Sequence, residues 1–155
     1  MRLLGKIAIV TGAASGFGAG IARKFIAEGA QVMLADLNGA GVQTLAAELG
    51  DKAASYQLDV ADRTQVTALA AEVEAQFGAL DIVVNNAGVT HLPTPMETVS
   101  EADFDRVFAV NCKSIYLASQ IFIPAMKQRK SGVFLNVSST AGISPRPNLN
   151  WYNAS

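Results

Sequence analysis

The chain has 155 residues, half of them hydrophobic and 16% charged. That is enough for one compact core and too little for two ordinary domains. Twelve basic residues against 13 acidic ones leave a net charge of −1, which excludes the basic footprint of a nucleic-acid binder and a charge-driven disordered tail. The single cysteine, Cys112, excludes an internal disulfide framework and a multi-cysteine metal site, and no metal is expected. No stretch approaches the roughly 18 consecutive apolar residues of a membrane span. Residues 1–10 are too short, and too soon followed by glycines, for a secretory signal. A cytoplasmic domain is expected, with neither membrane nor nucleic acid as partner.

Short apolar runs rich in β-branched residues alternate with longer runs rich in Ala, Glu and Gln. In chain order, residues 7–10 read as a strand, 18–28 as a helix stopped by Gly29, and 31–34 as a second strand. Residues 39–49 read as a helix stopped by Gly50, and 53–58 as a weaker strand. Over 61–77, Val66, Leu69, Ala70, Val73 and Phe77 recur at helical spacing. Residues 80–84 form a fourth strand, 100–128 a long helix whose last turn Pro124 should bend or loosen, and 133–137 a fifth strand. Such alternation predicts a parallel α/β sheet with helices on both faces. The strands are continuously apolar, as strands covered on both faces must be. Two proline-rich loops, 91–95 and 144–147, follow strands, on the sheet edge where such folds bind ligands.

Between the first strand and the next helix lies Thr11-Gly12-Ala13-Ala14-Ser15-Gly16-Phe17-Gly18. Glycines permit positive φ and close approach of a phosphate, and the helix N-terminus offers it free N–H groups. The Gly-x-x-x-Gly-x-Gly spacing matches neither the common Gly-x-Gly-x-x-Gly fingerprint nor a P-loop. A plain glycine-rich turn would read the same way. Asp36 ends the second strand, 18 residues after Gly18. Its carboxylate is either a turn or capping aspartate, or the acceptor for both ribose hydroxyls of an adenosine, which would repel a 2′-phosphate. Turn and carboxylate together favour nucleotide binding.

With Asp59-Val60 after the third strand, Asn85-Asn86-Ala87-Gly88 after the fourth, Asn111 in the long helix, Ser138-Ser139 after the fifth and Tyr152 beyond, the chain resembles the short-chain dehydrogenase/reductase family. Within the family it resembles the 3-oxoacyl-carrier-protein reductase and sugar or polyol dehydrogenase branches. The resemblance implies a Rossmann-type doubly wound parallel sheet of order 3-2-1-4-5, and NAD(P)-dependent interconversion of a secondary alcohol and a ketone by hydride transfer. It places Gly12, Ser15, Gly16, Phe17, Gly18, Asp36, Leu37, Asp59, Val60, Asn86, Ala87, Gly88 and Tyr152 at the cofactor, with Asp59 and Val60 at the adenine. Asp59 could instead cap the following helix, and Asn85–Gly88 could be only a turn. Ser15 and Leu37 stand where NADP-preferring members often carry a basic residue, so NAD is expected over NADP. Tyr152 would be the acid/base, Ser139 would hold the carbonyl oxygen, and Asn111 would support the proton path through ordered water. Serine and tyrosine hydroxyls both donate and accept, as this work needs. The family's partner is a small-molecule alcohol or ketone, its usual assembly a homodimer or homotetramer.

In the family a lysine four residues after the tyrosine supplies positive charge and grips the nicotinamide ribose; here the run reads Tyr152-Asn153-Ala154-Ser155 and stops. Two further strands and a substrate loop of the family are also missing. The resemblance is therefore expected to be to an N-terminal part only: residues 1–155 as an NAD-binding Rossmann domain incomplete at its C-terminus, and inactive alone. The apolar run 133–137 would be an exposed edge. The alternative is a dinucleotide-binding module without catalysis.

The remaining notable residues are given modest roles. His91 is expected to be a solvated loop residue and Cys112 a small buried apolar one. Trp151 either walls the substrate cleft or packs. Glu72, Glu74, Glu97 and Glu101 are solvated or capping charges. Ile115, Tyr116, Leu117, Ile121, Phe122 and Met126 make the long helix either fully buried or, as in the family, part of a subunit interface.

Overall fold

Successive side chains on a strand point to opposite faces, and the first strand shows the result. In the computed structural model, which describes residues 1–155, strand β1 (Ile7–Thr11) is buried along its whole length. Ile7 and Ile9 enter one hydrophobic cluster, Ala8 and Val10 another. β2 (Gln31–Asp36) and β4 (Ile82–Asn85) divide in the same way: Met33, Ala35 and Val83 to the first cluster, Val32, Leu34, Ile82 and Val84 to the second. A strand with two buried faces has no room for polar alternation.

Helices α1 (Gly16–Ala27) and α2 (Gly39–Leu49) cover the second cluster with Ala22, Val42 and Leu45. Helices α3 (Arg63–Gln76) and α5 (Ser114–Arg129) cover the first, through Val66, Leu69 and Val73 and through Ala118, Phe122 and Met126. Burying each larger side chain contributes about 1.5–3 kcal/mol against its ordering entropy. With β3 (Ala53–Gln57) and β5 (Val133–Asn136) at the edges, the sheet has the order β3-β2-β1-β4-β5, every pair parallel. That is the expected Rossmann-type order. All five C-terminal strand ends lie on one side, where the loops form the site.

The long helix is not one helix. α4 (Glu101–Phe108), capped by Ser100 Oγ on Asp103 N, passes into a π-turn over Ala109–Lys113 before α5 begins. The inserted residue re-aims Asn111, as described below. Helix α5 then runs past Pro124 to Arg129 and ends at a left-handed Lys130. The 29-residue run Glu101–Arg129 is, by length and composition, apolar enough to cross a membrane; here Leu117, Ala118, Phe122 and Met126 are buried, three of them in the first core cluster. β5 is the exposed edge expected of it, with Val133 57% and Leu135 45% accessible.

Candidate cofactor cleft and catalytic residues

The glycine-rich turn owes its shape to crowding. Gly12 adopts φ +65, and a Cβ there would lie 2.9 Å from Ala87 Cα. A Cβ on buried Gly18 would come within 2.1 Å of the Gly12 carbonyl oxygen. Gly16, at φ +54, faces open space. The N–H groups of Gly16, Phe17 and Gly18 donate no backbone hydrogen bond within the chain, and no acidic residue occupies the first turn of α1. Free donors, a helix dipole and no competing carboxylate suit an anionic diphosphate.

Asp36 sits beside this turn. Its Oδ2 accepts from Ala14 N (3.0 Å) and its Oδ1 from Asn38 N (2.9 Å), so one carboxylate ties the turn to the end of β2. Each oxygen keeps a further lone pair for a ribose hydroxyl. Opposite, Thr11 Oγ1 accepts from Asn86 N and Ala87 N, both at 3.0 Å, and donates to Val84 O. Asn86 Nδ2 returns to Thr11 O at 2.8 Å and Gly12 O at 3.3 Å. The Asn-Asn-Ala-Gly run is thus a brace between the central strands and more than a local turn. Asp59 accepts from Ala61 N and does not cap α3; Asp62 does, on Thr64 N and Gln65 N. These N–H bonds, led by that from Gln65, hold the Asp62 carboxyl below its ordinary range.

Between these walls lies a cleft of about 390 Å³. It is lined by Gly12, Ser15, Gly16 and Phe17 of the turn after β1, Asp36 and Leu37 at the end of β2, Asp59 and Val60 after β3, and Asn86, Ala87 and Gly88 after β4. Every residue expected at the nucleotide is there except Gly18, which lies buried behind the turn, and Tyr152, which belongs to the neighbouring region. Leu58, Val89 and Val110 also line the cleft and were missed. Leu58 closes the weakest strand and Val89 extends the Asn-Asn-Ala-Gly run, so both had a sequence signal; Val110 is brought in by the π-turn and had none.

Ser139 and Tyr152 lie beyond β5. Ser139 Oγ accepts from Ala141 N (3.1 Å) in a short 3-10 turn over Thr140–Gly142, leaving its own proton to donate. Tyr152 lies half-buried in the short helix α6 (Asn150–Ala154). Asn111 joins the regions: its Oδ1 accepts from Val89 N (2.9 Å), and its Nδ2 donates to Val89 O (2.9 Å) and Ser155 Oγ (2.8 Å). Trp151 packs, edge-on to Phe104 at 5.1 Å between ring centroids, with Nε1 donating to Met96 O. Cys112 is half-buried and its Sγ donates weakly to Ser155 O.

His91 departs from expectation. It is only 3% accessible, with Nδ1 2.8 Å from Leu92 O and Nε2 unpartnered. The loop after β4 folds inward over it, which a lone histidine among polar loop residues did not signal.

The family model for short chain dehydrogenase matches residues 6–155. The chain is 47% identical, over its whole length, to 4-formylbenzenesulfonate dehydrogenase of Comamonas testosteroni, and 39% identical over 99% of its length to a 3-beta-hydroxysteroid dehydrogenase of the same species. It spans 63% and 60% of those proteins. A crystal structure of 3-ketoacyl-(acyl-carrier-protein) reductase from Brucella melitensis complexed with NADH superposes with a TM-score of 0.95 at 42% identity, covering 98% of this chain and 64% of that one.

These likenesses overturn two expectations. Where a match confined to an N-terminal part was expected, the family model takes in residues 6–155, nearly all of this chain. Where an inactive fragment was expected, the chain forms a well-packed domain with its cleft built and matches enzymes of the family along almost all of its own length. An exposed apolar edge at β5 did not prevent this, because the inner strands and two helical layers supply the core. By its family model, its relatives and its strand order, the chain belongs to the short-chain dehydrogenase family.

Proposed function

We propose that this protein is an NAD(P)-dependent oxidoreductase interconverting a secondary alcohol and a ketone by hydride transfer, with residues 1–155 forming its NAD-binding domain. The observation that carries the reading is the cleft itself. Free N–H groups at the start of α1 face one end of a nucleotide, and the Asp36 carboxylate another. Gly16, whose missing side chain leaves open space, would let the diphosphate approach the backbone. Asp59 and Val60 would border the adenine, and Asn86, Ala87 and Gly88 the nicotinamide half.

When bound, the nicotinamide supplies or takes up the hydride at the carbonyl carbon. The chain's part is the proton and the oxygen. Ser139, whose Oγ already accepts from Ala141 N, donates its proton to the substrate oxygen and holds it. Tyr152 gives that oxygen a proton in reduction and takes one in oxidation. Asn111 supports the proton path and ties the cofactor wall to the Tyr152 segment.

NAD is favoured over NADP: Asp36 would meet a 2′-phosphate with like charge, and Ser15 and Leu37 offer no cation. The substrate is a small alcohol or carbonyl compound, as the names of the relatives suggest. The reading includes a cytoplasmic location and a homodimer or homotetramer. Fluorescence titration of the full-length protein with NADH and NADPH, followed by turnover on a panel of ketones and aldehydes, tests it. NADH binding in the micromolar range with turnover is the expected result; no binding of either nucleotide would overturn it.

A further inference from the structure

Asn111 uses every polar atom of its side chain, and one of its two donated bonds goes to a residue with no role so far. Ser155 Oγ accepts from Asn111 Nδ2 at 2.8 Å and donates to the Tyr152 carbonyl oxygen at 2.9 Å. Ser155 N also reaches that carbonyl, at 3.2 Å. From the cleft wall at Val89, an unbroken set of hydrogen bonds runs through Asn111 and Ser155 to the backbone of Tyr152. α6 has no side-chain N-cap of its own, so the ties to Asn111 and Ser155 are side-chain links between its turn and the cleft wall.

We infer that Ser155 is a positioning residue: its hydroxyl fixes the helical turn carrying Tyr152 against the Asn111 π-turn, and so against the cofactor cleft. The inference rests on the proposed role of Tyr152. Through a single oxygen the hydroxyl both accepts from the amide and donates to the carbonyl, and an alanine side chain can do neither. A misplacement of the reacting group by about 1 Å costs on the order of a hundredfold in rate. Ser119 supplies an internal control, since its Oγ makes the same kind of bond to the Tyr116 carbonyl (2.8 Å) with no asparagine attached.

The test compares Ser155→Ala, Ser155→Thr and Ser119→Ala in the full-length protein. Ser155→Ala should lower kcat about tenfold or more, with KM and NADH affinity within twofold. Ser155→Thr should recover most of the rate, and Ser119→Ala should match wild type. Amide hydrogen exchange over residues 149–155 should quicken in Ser155→Ala without any substrate present. That readout separates the two readings: if no carbonyl compound is turned over by wild type, the proposed function fails, while exchange still judges the clamp. Unchanged exchange together with unchanged kcat in Ser155→Ala would overturn the inference, as would a lower melting temperature with no change in kcat.

Discussion

The two halves of the site are built by different means. The nucleotide half rests on strands with two buried faces, on glycines whose Cβ positions are filled by backbone, and on Asp36, Thr11 and Asn86, each bonded at two or more points. The half around Ser139 and Tyr152 lies beyond β5, in the loops that follow it and in α6. Beyond the β4–β5 backbone pairing, it is tied by side chains: Asn85 Nδ2 on Asn136 Oδ1 (2.8 Å), Asn153 on both polar atoms of the Arg146 backbone, and Ser155 on Asn111. Backbone sterics shape the first half, whereas hydrogen bonds between loop side chains and backbone shape much of the second. Under the proposed function, a turn that accepts one invariant diphosphate suits the former, and loops near a variable substrate suit the latter.

If that contrast holds, the largest effect belongs to the smallest change in the nucleotide half. Gly18→Ala would drive a methyl into the Gly12 carbonyl and should abolish NADH binding or cooperative folding. Gly20→Ala in the same helix meets nothing within 4 Å and should be neutral or stabilising by up to about 1 kcal/mol. Fluorescence titration and thermal unfolding of the pair would break the contrast if both behaved alike. Next in size is Tyr152→Phe, expected to cost kcat on the order of 10²–10⁴-fold with NADH affinity nearly intact. Ser139→Ala should do the same to a lesser degree, and retained turnover in Tyr152→Phe would show that another acid acts.

Asp36→Ala should narrow discrimination between NAD and NADP about tenfold. Because the carboxylate also holds Ala14 N, NAD affinity itself should fall as well; paired titrations with both nucleotides check it, and unchanged discrimination would sink the assignment. Asn85→Ala removes the side-chain bond that joins β4 to the edge strand, so it should destabilise by about 1–3 kcal/mol in urea unfolding.

The smallest effect lies far from the site. Glu28 has its carboxyl pulled down to about 2, first by the Lys24 side-chain bond and then by Arg2 N. A folded-state value below the unfolded one means the contribution is present above about pH 4.3 and lost as the pH falls toward 2. Both side chains meet solvent, so the loss is shallow. Wild type and Glu28→Gln should differ slightly in unfolding at pH 6 and converge near pH 2.

Much of the fold was legible. Buried parallel strands are apolar on both faces, so the runs at 7–10, 31–34 and 80–84 stood out from any context. Helices closing on Gly29 and Gly50 were marked by residues that tolerate positive φ. The residues that line the cleft were legible for a related reason: turns of this kind need glycine at particular positions, and Asp36 follows at the end of the next strand. What was missed depends on contacts between distant segments. The π-turn carries Asn111, whose partner Val89 lies 22 residues away. His91 was expected in solvent and is buried, and of the two readings kept for Trp151 the packing one is decided by Phe104, 47 residues away in sequence.

The sequence by itself determined the strand–helix alternation, the two covered faces of the inner sheet and the glycine–aspartate nucleotide motif. Each is a local demand of backbone sterics or of burial periodicity. Only the tertiary structure decided that Val110 reaches the cleft, that Asn111 exhausts its amide on Val89 and Ser155, and that Ser155 holds the turn bearing Tyr152. A polar side chain's partner across more than 20 residues is set by how helices settle on the sheet, which no local pattern records.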